Sequence, residues 1–399
     1  MIMLKGKNIL LGITGGIAAY KIPSLSSALR KQGANIKVVM TPAATKFITP
    51  LTMQTMSSNV VHIDMFDQLS NMNVEHVSLA KWADIIVVAP ATANTIGKYA
   101  NGIADNLLTT ILMASRSKVM FVPAMNTQML ESEANQKNLE ILRKRGVIVL
   151  GTQYDLLACE DVGSGKMLEP SEILEAIDEA LTEKDLQGKK FTITAGPTLE
   201  AIDPVRFVSN HSSGKMGYAL AKRAKYRGAE VTLISGPTSI KPPKVDNFIR
   251  ITSTQDMFDA IEKSFSNTDV LIKAAAPADF KPKSYSDEKI KKDKKSLNII
   301  EMTENVDIAK HFGKLKSDDQ IIVGFAAESS NEIENAKGKL KRKNFDLIVV
   351  NNIKQAGAGF KQDTNIVSIL DRNGKIDSLE KLEKIELADI ILNRVRELF

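Results

Sequence analysis

Two segments of this chain follow the same sequence pattern. In each, a run of apolar and β-branched residues ends in glycine just before an expected helix. The first begins at Asn8 and ends in Gly15-Gly16-Ile17, and the second begins at Lys190, ends in Ala195-Gly-Pro197 and continues to Gly217. The N-terminus of a helix presents unpaired backbone N–H groups, and glycine lets an anion approach them closely. The pattern therefore predicts two α/β domains that each bind a phosphorylated ligand. Neither turn matches the dinucleotide or Walker consensus, so a βα turn without a phosphate stays open.

The length of 399 residues suggests two domains, and leaves three open, each large enough for its own core. A single cysteine excludes an intramolecular disulfide and is typical of a reducing compartment. No apolar run approaches the roughly 20 residues of a membrane span, and the N-terminus has no signal-peptide pattern. We therefore expect a soluble cytoplasmic protein with no membrane partner. The four histidines and the cysteine show no zinc-ligand spacing.

Much of the net charge of +6 is local to one lysine-rich segment. Between Lys281 and Lys295 there are seven lysines but only three acidic residues. Nucleic-acid-binding patches more often mix arginine and aromatic residues into such a stretch, so we expect no nucleic-acid partner. Two interpretations of the lysines stay open at this point, a solvated loop and a flexible clamp on a polyphosphate.

The first half alternates strand and helix patterns, which predicts a doubly wound parallel sheet. Five apolar runs are typical of buried parallel strands: Ile9–Leu11, Ile36–Met40, Asp84–Ala89, Val119–Val122 and Val147–Leu150. Ligands of such sheets bind beyond the carboxyl ends of the strands. The informative segments at those ends are Thr41–Ala44, Ala89–Thr95 and Pro123–Met129.

The second half repeats this architecture without repeating the motifs. A helix is predicted from Ser171, as its N-cap, to about Lys184. The polar stretch Asp185–Lys190 is interpreted as the interdomain linker, which sets the domains at residues 1–188 and 189–399. A closing helix is predicted over about Glu383–Leu398. The predicted strands are Phe191–Ala195, Val231–Ser235, Val270–Ala275, Ile321–Phe325, Leu347–Asn351 and Ile366–Leu370. The predicted fold class is therefore α/β, with two doubly wound Rossmann-like domains.

Three residues of the first half carry side chains suited to chemistry. Cys159 lies among acidic and glycine residues, which predicts a loop able to close over a pocket; a reactive thiol and a small buried hydrophobe both stay open. His76 precedes the strand at Ile85, where a structural helix-end histidine and a functional one stay open. Asn126 follows a strand end, and its amide can both donate to and accept from a bound amide or carboxylate.

The motifs of the first half together resemble those of the flavin-dependent cysteine decarboxylases, most closely phosphopantothenoylcysteine decarboxylase. These motifs are Gly15-Gly16-Ile17-Ala18, His76, Pro123-Ala-Met-Asn126 with Met129, and Ala158-Cys159 with Gly163. One residue departs from the family pattern, because Leu130 stands where tryptophan commonly follows the methionine. The resemblance implies a flavodoxin-like, FMN-binding decarboxylase domain.

The same resemblance implies roles for individual residues. FMN would oxidise the thiol-bearing carbon of the substrate, which provides the electron sink that lets the carboxylate leave as CO2. Cys159 would supply the proton for the final reduction, His76 would act as base or handle the carboxylate, and Asn126 would fix the substrate. The implied FMN contacts are Gly15, Gly16, Ile17, Thr41, Ala91 and Thr92.

The second half resembles phosphopantothenate–cysteine ligase over its full length. The matching segments are Thr194–Glu200, Asp203–Arg206, Ser209–Gly217, Ala274–Asp279, Lys289–Lys292, Gly324–Glu328 and Lys339–Asn344. Lys273 and Pro277 depart from the family's usual apolar context. The resemblance implies a Rossmann-like domain in which CTP converts a carboxylate into an acyl-cytidylate, which cysteine then attacks.

Lysine ammonium groups and a divalent cation can neutralise the charge that develops at the α-phosphate during this activation. The resemblance makes Lys289 the catalytic cation, with Mg2+ accompanying CTP, and makes Asn210 the residue that binds the acyl-cytidylate. It therefore favours the clamp interpretation of the lysines. The implied nucleotide-binding residues are Lys273, Ala274, Ala275, Asp279, Lys289, Val306, Asp307, Ile308, Ala309, Phe325, Lys339 and Lys343. No metal ligand is assigned.

The whole chain is thus expected to be a bifunctional enzyme of coenzyme A biosynthesis, acting on 4'-phosphopantothenate, cysteine and CTP. The family implies a homo-oligomer with a trimeric decarboxylase half and a dimeric ligase half, and hence a dodecamer. The main alternative is a non-catalytic, FMN-binding regulatory flavoprotein, although the set of His76, Asn126 and Cys159 argues against it. A dinucleotide oxidoreductase is disfavoured, because the chain lacks G-x-G-x-x-G and its acidic ribose-binding residue.

Overall fold

The computed structural model describes residues 4–66, 75–156, 162–290, 299–328, 331–352 and 362–399. The chain divides into two compact units, Met1–Thr182 (unit 1) and Glu183–Phe399 (unit 2). Each unit contains one large, mainly parallel sheet with an apolar core on each face. The predicted fold class, α/β with two doubly wound domains, is confirmed.

The described residues of unit 1 form a sheet of six parallel strands and one separate antiparallel pair of strands. The strands are β1 Asn8–Ile13, β2 Asn35–Met40, β3 Val61–His62, β4 Ile85–Ala91, β5 Lys118–Pro123, β6 Ile148–Val149, β7 Gln153–Leu156 and β8 Val162–Lys166. The α-helices are α1 Ile22–Lys31, α2 Pro50–Ser57, α3 Glu75–Trp82, α4 Ala93–Ala100, α5 Leu107–Ala114, α6 Thr127–Glu131, α7 Glu133–Lys144 and α8 Pro170–Leu181. The parallel sheet has the order β3-β2-β1-β4-β5-β6, and β7 pairs antiparallel with β8 outside it.

The central strand β1 shows why helices must cover both faces of this sheet. Ile9, Leu11 and Ile13 belong to the core that includes α1 and α8, whereas Leu10 belongs to the core on the opposite face. Successive side chains of a strand point to opposite faces, and all four of these are buried. An apolar run without polar alternation therefore requires a layer of helices on each side.

The strands predicted for unit 1 are confirmed as β1, β2, β4, β5 and β6, but the prediction for α8 is wrong at its start. The N-cap is Glu169 rather than Ser171, and Pro170 occupies the first turn. Proline is preorganised for the first helical position, so the cap falls on the residue before it. The Glu169 N–H donates to Glu172 Oε2 at 3.0 Å, which closes this first turn.

Unit 2 has an eight-stranded sheet with an antiparallel edge. Its strands are β9 Lys190–Ala195, β10 Glu200–Ala201, β11 Phe207–Val208, β12 Glu230–Ser235, β13 Asn247–Arg250, β14 Val270–Lys273, β15 Phe280–Pro282, β16 Met302–Glu304, β17 Ile321–Glu328, β18 Leu347–Asn352, β19 Thr364–Asn365, β20 Val367–Asp371, β21 Ile376–Ser378 and β22 Leu382–Glu383. Its helices are α9 Lys215–Tyr226, α10 Thr254–Phe265, α11 Ile308–Leu315, α12 Glu332–Arg342 and α13 Lys384–Arg396. The sheet order is β13-β12-β9-β14-β17-β18-β20-β21, antiparallel from β18 onward. Small antiparallel pairs are β10-β11, β15-β16 and β19-β22.

The strands predicted for unit 2 and the closing helix are present, but β14 ends earlier than the predicted Ala275. The chain leaves the ladder because the Ala275 N–H donates to the Thr194 hydroxyl at 3.2 Å. The edge strand β13 has no counterpart among the predicted strands, because three of its four residues are exposed and form no apolar run.

The stretch interpreted as a linker, Asp185–Lys190, instead packs within unit 2, so that interpretation is wrong. Leu186 is buried in its core. The Asp185 carboxylate accepts two hydrogen bonds from the Arg227 guanidinium, at 2.8 and 2.7 Å, and a third from Arg396 at 2.7 Å. The first residues of unit 2 are therefore tied to the end of α9 and to α13.

Replacing Asp185 with asparagine is expected to destabilise unit 2, because the buried Arg227 guanidinium loses the carboxylate that accepts two of its hydrogen bonds. Removing one partner of a buried ion pair typically costs about 3–5 kcal/mol. Burial alone would raise the pKa of Asp185, but the bonds from Arg227 and Arg396 lower it. The stabilisation is therefore present at neutral pH and is lost as the pH falls through that lowered pKa. Calorimetry should show a lower unfolding temperature for unit 2, while the fluorescence of the single tryptophan, Trp82 in unit 1, keeps its midpoint.

The matched control is Glu301→Gln, which removes an ion pair with Lys283 on the surface of the same unit. Both side chains of that pair are mostly exposed, so its loss should change the unfolding temperature little. An equal effect of the two substitutions would contradict the role of the buried pair.

Candidate functional site

A cavity of about 530 Å³ lies in unit 1 at the carboxyl ends of β1, β4 and β5. The strand order reverses between β1 and β4, and such a reversal opens a crevice that commonly binds ligands. The lining residues are Gly15, Gly16, Ile17, Ala18, Tyr20, Lys21, Thr92, Ala93, Ala124, Met125, Asn126, Met129, Gly165, Lys166 and Met167.

The turn after β1 brings the backbone to the cavity wall. A Cβ atom on Gly15 would lie 2.5 Å from the Ala43 Cβ, so only glycine lets this turn pack against the loop after β2. Gly16 precedes the short 3-10 helix Ile17–Lys21. A Cβ there would meet nothing closer than Thr92, at 3.6 Å. Packing therefore requires the first glycine, while the second leaves space beside the cavity.

Thr14 joins the ends of β1 and β4 next to the cavity. Its hydroxyl donates to the Pro90 carbonyl at 2.6 Å and accepts from the Thr92 N–H at 3.2 Å. The side chain is buried, so both bonds are shielded from water. Sequence reasoning misses Thr14, although a hydroxyl residue directly after an apolar strand is a visible signal.

The strand β8, which pairs with β7, is hydrogen-bonded to the turn after β5. The Met125 N–H donates to the Gly165 carbonyl at 3.1 Å, and the Thr127 hydroxyl donates to the Ser164 carbonyl at 2.7 Å. Gly165 has a φ of +130°, and a Cβ on it would lie 2.1 Å from the Met125 carbonyl oxygen. This close approach of two backbones forms one wall of the cavity.

Asn126 is the N-cap of α6. Its Oδ1 accepts from the Gln128 N–H at 2.8 Å, which orients the side-chain amide at the cavity wall. A structural requirement for a capping residue and the predicted functional role thus coincide at this position.

Two lysines that the sequence did not indicate line the cavity, and each is paired with a carboxylate. The Nζ atom of the buried Lys21 donates to Glu169 Oε1 at 2.6 Å and to the Met167 carbonyl at 3.2 Å. Lys166 pairs with Asp155 at 2.5 Å, and this bond raises the pKa of Lys166. Small apolar walls with held ammonium groups suit a planar ligand that carries a phosphate.

The cavity brings together some, but not all, of the predicted residues of this half. Those that line it are Gly15, Gly16, Ile17, Thr92 and Asn126. Thr41 accepts from the Ala44 N–H at 3.3 Å in the loop behind the glycine turn. Ala91 is buried in β4, and His76 is half-buried on α3; neither lines the cavity. Cys159 lies outside the described residues.

In unit 2 the strand order reverses between β9 and β14. Asn210 is hydrogen-bonded to the chain that follows β14. Its side-chain amide donates to the Ala276 carbonyl, and its Oδ1 accepts from the Ser212 N–H at 3.0 Å. Ala276 directly follows Ala274 and Ala275. The structure therefore brings the predicted acyl-cytidylate residue next to the predicted nucleotide-binding alanines.

Three predicted nucleotide-binding residues form a charged cluster in unit 2. Lys343 Nζ lies 3.2 Å from Asp307 Oδ1, and Lys273, at the end of β14, interacts with both. Burial, and then the nearby Lys343, lower the pKa of Lys273 to about 7, while Asp307 opposes the shift. An anion that enters this cluster would favour the protonated amine.

The remaining predicted residues of unit 2 differ in exposure. Asp279 and Lys289 are exposed, and Lys339 on α12 is half-buried. The Asp279 carbonyl accepts from the Asn305 N–H at 2.8 Å, which brings the following segment beside it. The residues that are buried or packed against the two cores are Ala274, Ala275, Val306, Ile308, Ala309 and Phe325.

The described part of the chain contains no group of three or more histidine, cysteine, aspartate or glutamate side chains that could hold a metal ion. Among the same residues, no helix combines the length and the apolar character that crossing a membrane requires.

Two protein-family models match the chain, one in each unit. The model described as Flavoprotein matches residues 2–182, and that described as DNA/pantothenate metabolism flavoprotein C-terminal domain matches residues 186–398. The chain is 45% identical to the coenzyme A biosynthesis bifunctional protein CoaBC of Bacillus subtilis (strain 168), over 99% of this chain and 98% of that protein. The CoaBC protein of Haemophilus influenzae is 44% identical over the same shares. A crystal structure of the C-terminal domain of a CoaBC protein is 42% identical, with a TM-score of 0.47, and covers 54% of this chain and 98% of that one.

The sheets, the cavity and the two family matches define a two-domain α/β flavoprotein. The chain belongs to the family of bifunctional coenzyme A biosynthesis proteins, CoaBC, because its identity to members of that family extends over almost its whole length. The resemblance that the motifs of both halves indicate is confirmed.

Replacing Gly165 with alanine is expected to weaken flavin binding while unit 1 stays folded. The new Cβ must move away from the Met125 carbonyl, which detaches β8 from the cavity wall. A loss of about 1.4 kcal/mol corresponds to tenfold, and we expect the dissociation constant to rise by at least about that factor. Flavin absorbance during equilibrium titration of the apoprotein measures the change.

Gly151→Ala provides the control, because a Cβ at that position meets nothing within 4 Å. Its flavin affinity should remain that of the unchanged protein. Unaltered affinity of the Gly165→Ala protein would show that β8 does not shape the binding site.

Proposed function

We propose that the chain catalyses two consecutive steps of coenzyme A biosynthesis. Unit 2 joins cysteine to 4'-phosphopantothenate with CTP, and unit 1 decarboxylates the product to 4'-phosphopantetheine with FMN. The observation that carries this proposal is identity across both units with proteins named as bifunctional in coenzyme A biosynthesis. The sites at both strand-order reversals support it, because each has the chemistry that its ligand needs. A regulatory flavoprotein without catalysis is not favoured.

The decarboxylase step places FMN in the cavity of unit 1, against Gly15, Gly16, Ile17 and Thr92, with Thr41 and Ala91 behind them. Glycine backbone and small side chains let a flat ring approach closely, and the ammonium groups of Lys21 and Lys166 have further N–H donors for its phosphate. When bound, FMN supplies reversible two-electron oxidation at the thiol-bearing carbon of the substrate.

The protein groups of this step bind the substrate and move protons. The Asn126 amide, held by its capping bond, donates to and accepts from the substrate's polar groups. We assign to the Cys159 Sγ the proton that completes the final reduction, and to His76 the role of base or carboxylate partner. Both assignments rest on the family motifs.

The ligase step activates a carboxylate that an amine cannot attack directly. CTP converts it to an acyl-cytidylate with loss of pyrophosphate, and the cysteine amine then displaces CMP. Lys289 neutralises the charge that develops at the α-phosphate. Asn210 binds the acyl-cytidylate beside the alanines that follow β14. The cluster of Lys273, Asp307 and Lys343 holds the nucleotide, with Lys339 and Asp279 nearby.

Mg2+ is proposed to enter with CTP. Magnesium usually keeps several waters and binds through one or two carboxylates together with substrate phosphates. The exposed Asp279 and the Asp307 carboxylate are oxygen donors of that kind within the proposed nucleotide site.

Incubation with 4'-phosphopantothenate, cysteine, CTP and Mg2+ tests the function directly. The unchanged protein should release CMP and CO2 and form 4'-phosphopantetheine. Without air, Cys159→Ser should still release CMP but no more than one CO2 per flavin site, and should form no 4'-phosphopantetheine, because the thiol is needed only for the late proton of the reduction that completes the cycle. Full turnover by this variant would remove Cys159 from the mechanism. A non-catalytic flavoprotein would release neither CMP nor CO2.

The lysine assignment has its own test. The measured quantity is the burst of pyrophosphate release in the first turnover at saturating CTP. Lys289→Gln should slow this burst by about a hundredfold or more, the usual effect of removing one such electrostatic donor. CTP affinity should change far less, because Lys273, Lys339 and Lys343 still attract the triphosphate. Lys283→Gln, in the same segment but paired with Glu301, should leave the burst unchanged. A near-normal burst for Lys289→Gln would instead favour the interpretation of the lysine-rich segment as a solvated loop.

We further propose a homo-oligomer, with a dimeric ligase half and a trimeric decarboxylase half. Two small antiparallel pairs of unit 2, β10-β11 and β15-β16, lie beside each other, and they and their flanking residues expose several large apolar side chains. They include Val205, Phe207, Phe280, Ile299 and Met302. A second copy would remove this surface from water. Light scattering should give a mass that is a multiple of 43.7 kDa, and twelve times that mass for the dodecamer.

The single cysteine supports a cytoplasmic location, which cell fractionation would test.

A further inference from the structure

The turn between β10 and β11 contains a buried carboxylate that accepts hydrogen bonds both from its own turn and from a residue far along the sequence. Asp203 is 2% exposed. Its Oδ1 accepts from the N–H groups of Val205 and Arg206, both at 2.8 Å. Its Oδ2 accepts from the N–H of Ile290 at 3.2 Å. The first two bonds form a local aspartate turn, whereas the third reaches the residue directly after Lys289.

A second bond fixes the chain on the other side of Lys289. The Ser286 N–H donates to the carbonyl of Ile202, the neighbour of Asp203, at 3.0 Å. Lys289 thus has one backbone anchor before it and one after it, both on the same turn. Its own side chain is exposed. The anchored backbone, rather than side-chain packing, therefore decides which space its ammonium group can reach.

The turn is itself held by the body of unit 2. Glu200, on β10, is buried and accepts from the Thr254 N–H at 2.9 Å and from the Thr254 hydroxyl at 2.7 Å. Thr254 opens α10, which packs against the strands β9 and β12 of the main sheet. The bonds of Asp203 therefore connect the Lys289 segment to a rigid part of the unit.

Asp203 has the charge that this arrangement needs. Burial would raise the pKa of its carboxyl, but the three backbone N–H groups and Arg206 lower it below its usual value. The group is ionised at neutral pH and accepts at both oxygens.

We propose that Asp203 is a positioning residue for the CTP-dependent activation: its carboxylate holds the Ile290 backbone and thereby places the Lys289 ammonium group on the nucleotide phosphates. This inference rests on the role proposed above for Lys289. A charge that stabilises a transition state must be held in place before the reaction, because small misplacements are costly in rate.

Asp203→Asn removes the long-range bond to Ile290 together with the 3.4 Å ion pair between Asp203 Oδ2 and Arg206 Nη1, whereas Ile290→Pro removes the bond and leaves the ion pair. The asparagine carbonyl can keep the two bonds within the turn, while its NH2 group cannot accept from Ile290. Pyrophosphate release at saturating CTP should slow by at least about tenfold, because even a small misplacement of a catalytic group is costly in rate. CTP affinity and the decarboxylation of supplied phosphopantothenoylcysteine should stay unchanged. Amide hydrogen exchange at Ile290 should become faster.

A double-mutant cycle separates positioning from a general structural effect. If Asp203 acts through Lys289, the double variant Asp203→Asn/Lys289→Gln should be no slower than Lys289→Gln alone. The matched control is Asp256→Asn, because Asp256 also caps backbone N–H groups but only those of Thr252 and Ser253. Its burst and the exchange at Ile290 should remain normal.

A normal burst for Asp203→Asn, or effects that multiply in the double variant, would overturn the proposal while leaving the function of unit 2 intact. A normal burst for Lys289→Gln would instead refute the proposed role of Lys289, and this inference with it. Ile290→Pro gives a second route if Asp203→Asn fails to fold, because it removes the N–H donor and keeps the carboxylate. It should reproduce the slow burst, and a normal burst would also overturn the proposal.

Discussion

Burial of both faces of the central strands is the constraint on which the two units depend. Strand β1 sends alternate apolar side chains into two separate cores, so helices must cover both faces. To place helices on both sides, the chain winds outward from the central strand in one direction and later in the other. The strand order then reverses beside β1 and β9, and the crevices that result position both candidate sites.

The two units use this shared geometry for different ligands. In unit 1 the crevice is walled by glycine, alanine and methionine and closed by the strand β8, which only glycine allows to approach. In unit 2 the same place holds charged groups, because Lys273 at the end of β14 interacts electrostatically with the ion pair of Lys343 and Asp307. The first suits a flat cofactor and the second a triphosphate. The difference lies in the side chains at the strand ends, not in the sheets.

The long strands could be predicted because their signal is local and periodic, as the apolar run of β4 illustrates. The prediction for the N-cap of α8 was wrong because Pro170 prefers the first helical position. The prediction of a linker at Asp185 was wrong because this residue forms an ion pair with Arg227. Among the site residues, Gly15 and Asn126 follow from strand ends and family motifs. Thr14 and Lys21 do not, because their partners at Pro90 and Glu169 are far away in sequence.

By itself, the sequence determined the α/β class, the two halves, the order of the strands along the chain and the family, since these depend on local periodicity and on motifs. Tertiary structure alone decided which motifs meet. In the folded chain Gly16, Thr92 and Asn126 line one cavity, whereas His76 does not. Asp203 is also hydrogen-bonded to Ile290. Contacts between distant residues depend on how the helices and strands pack, and no local pattern of side chains encodes that arrangement.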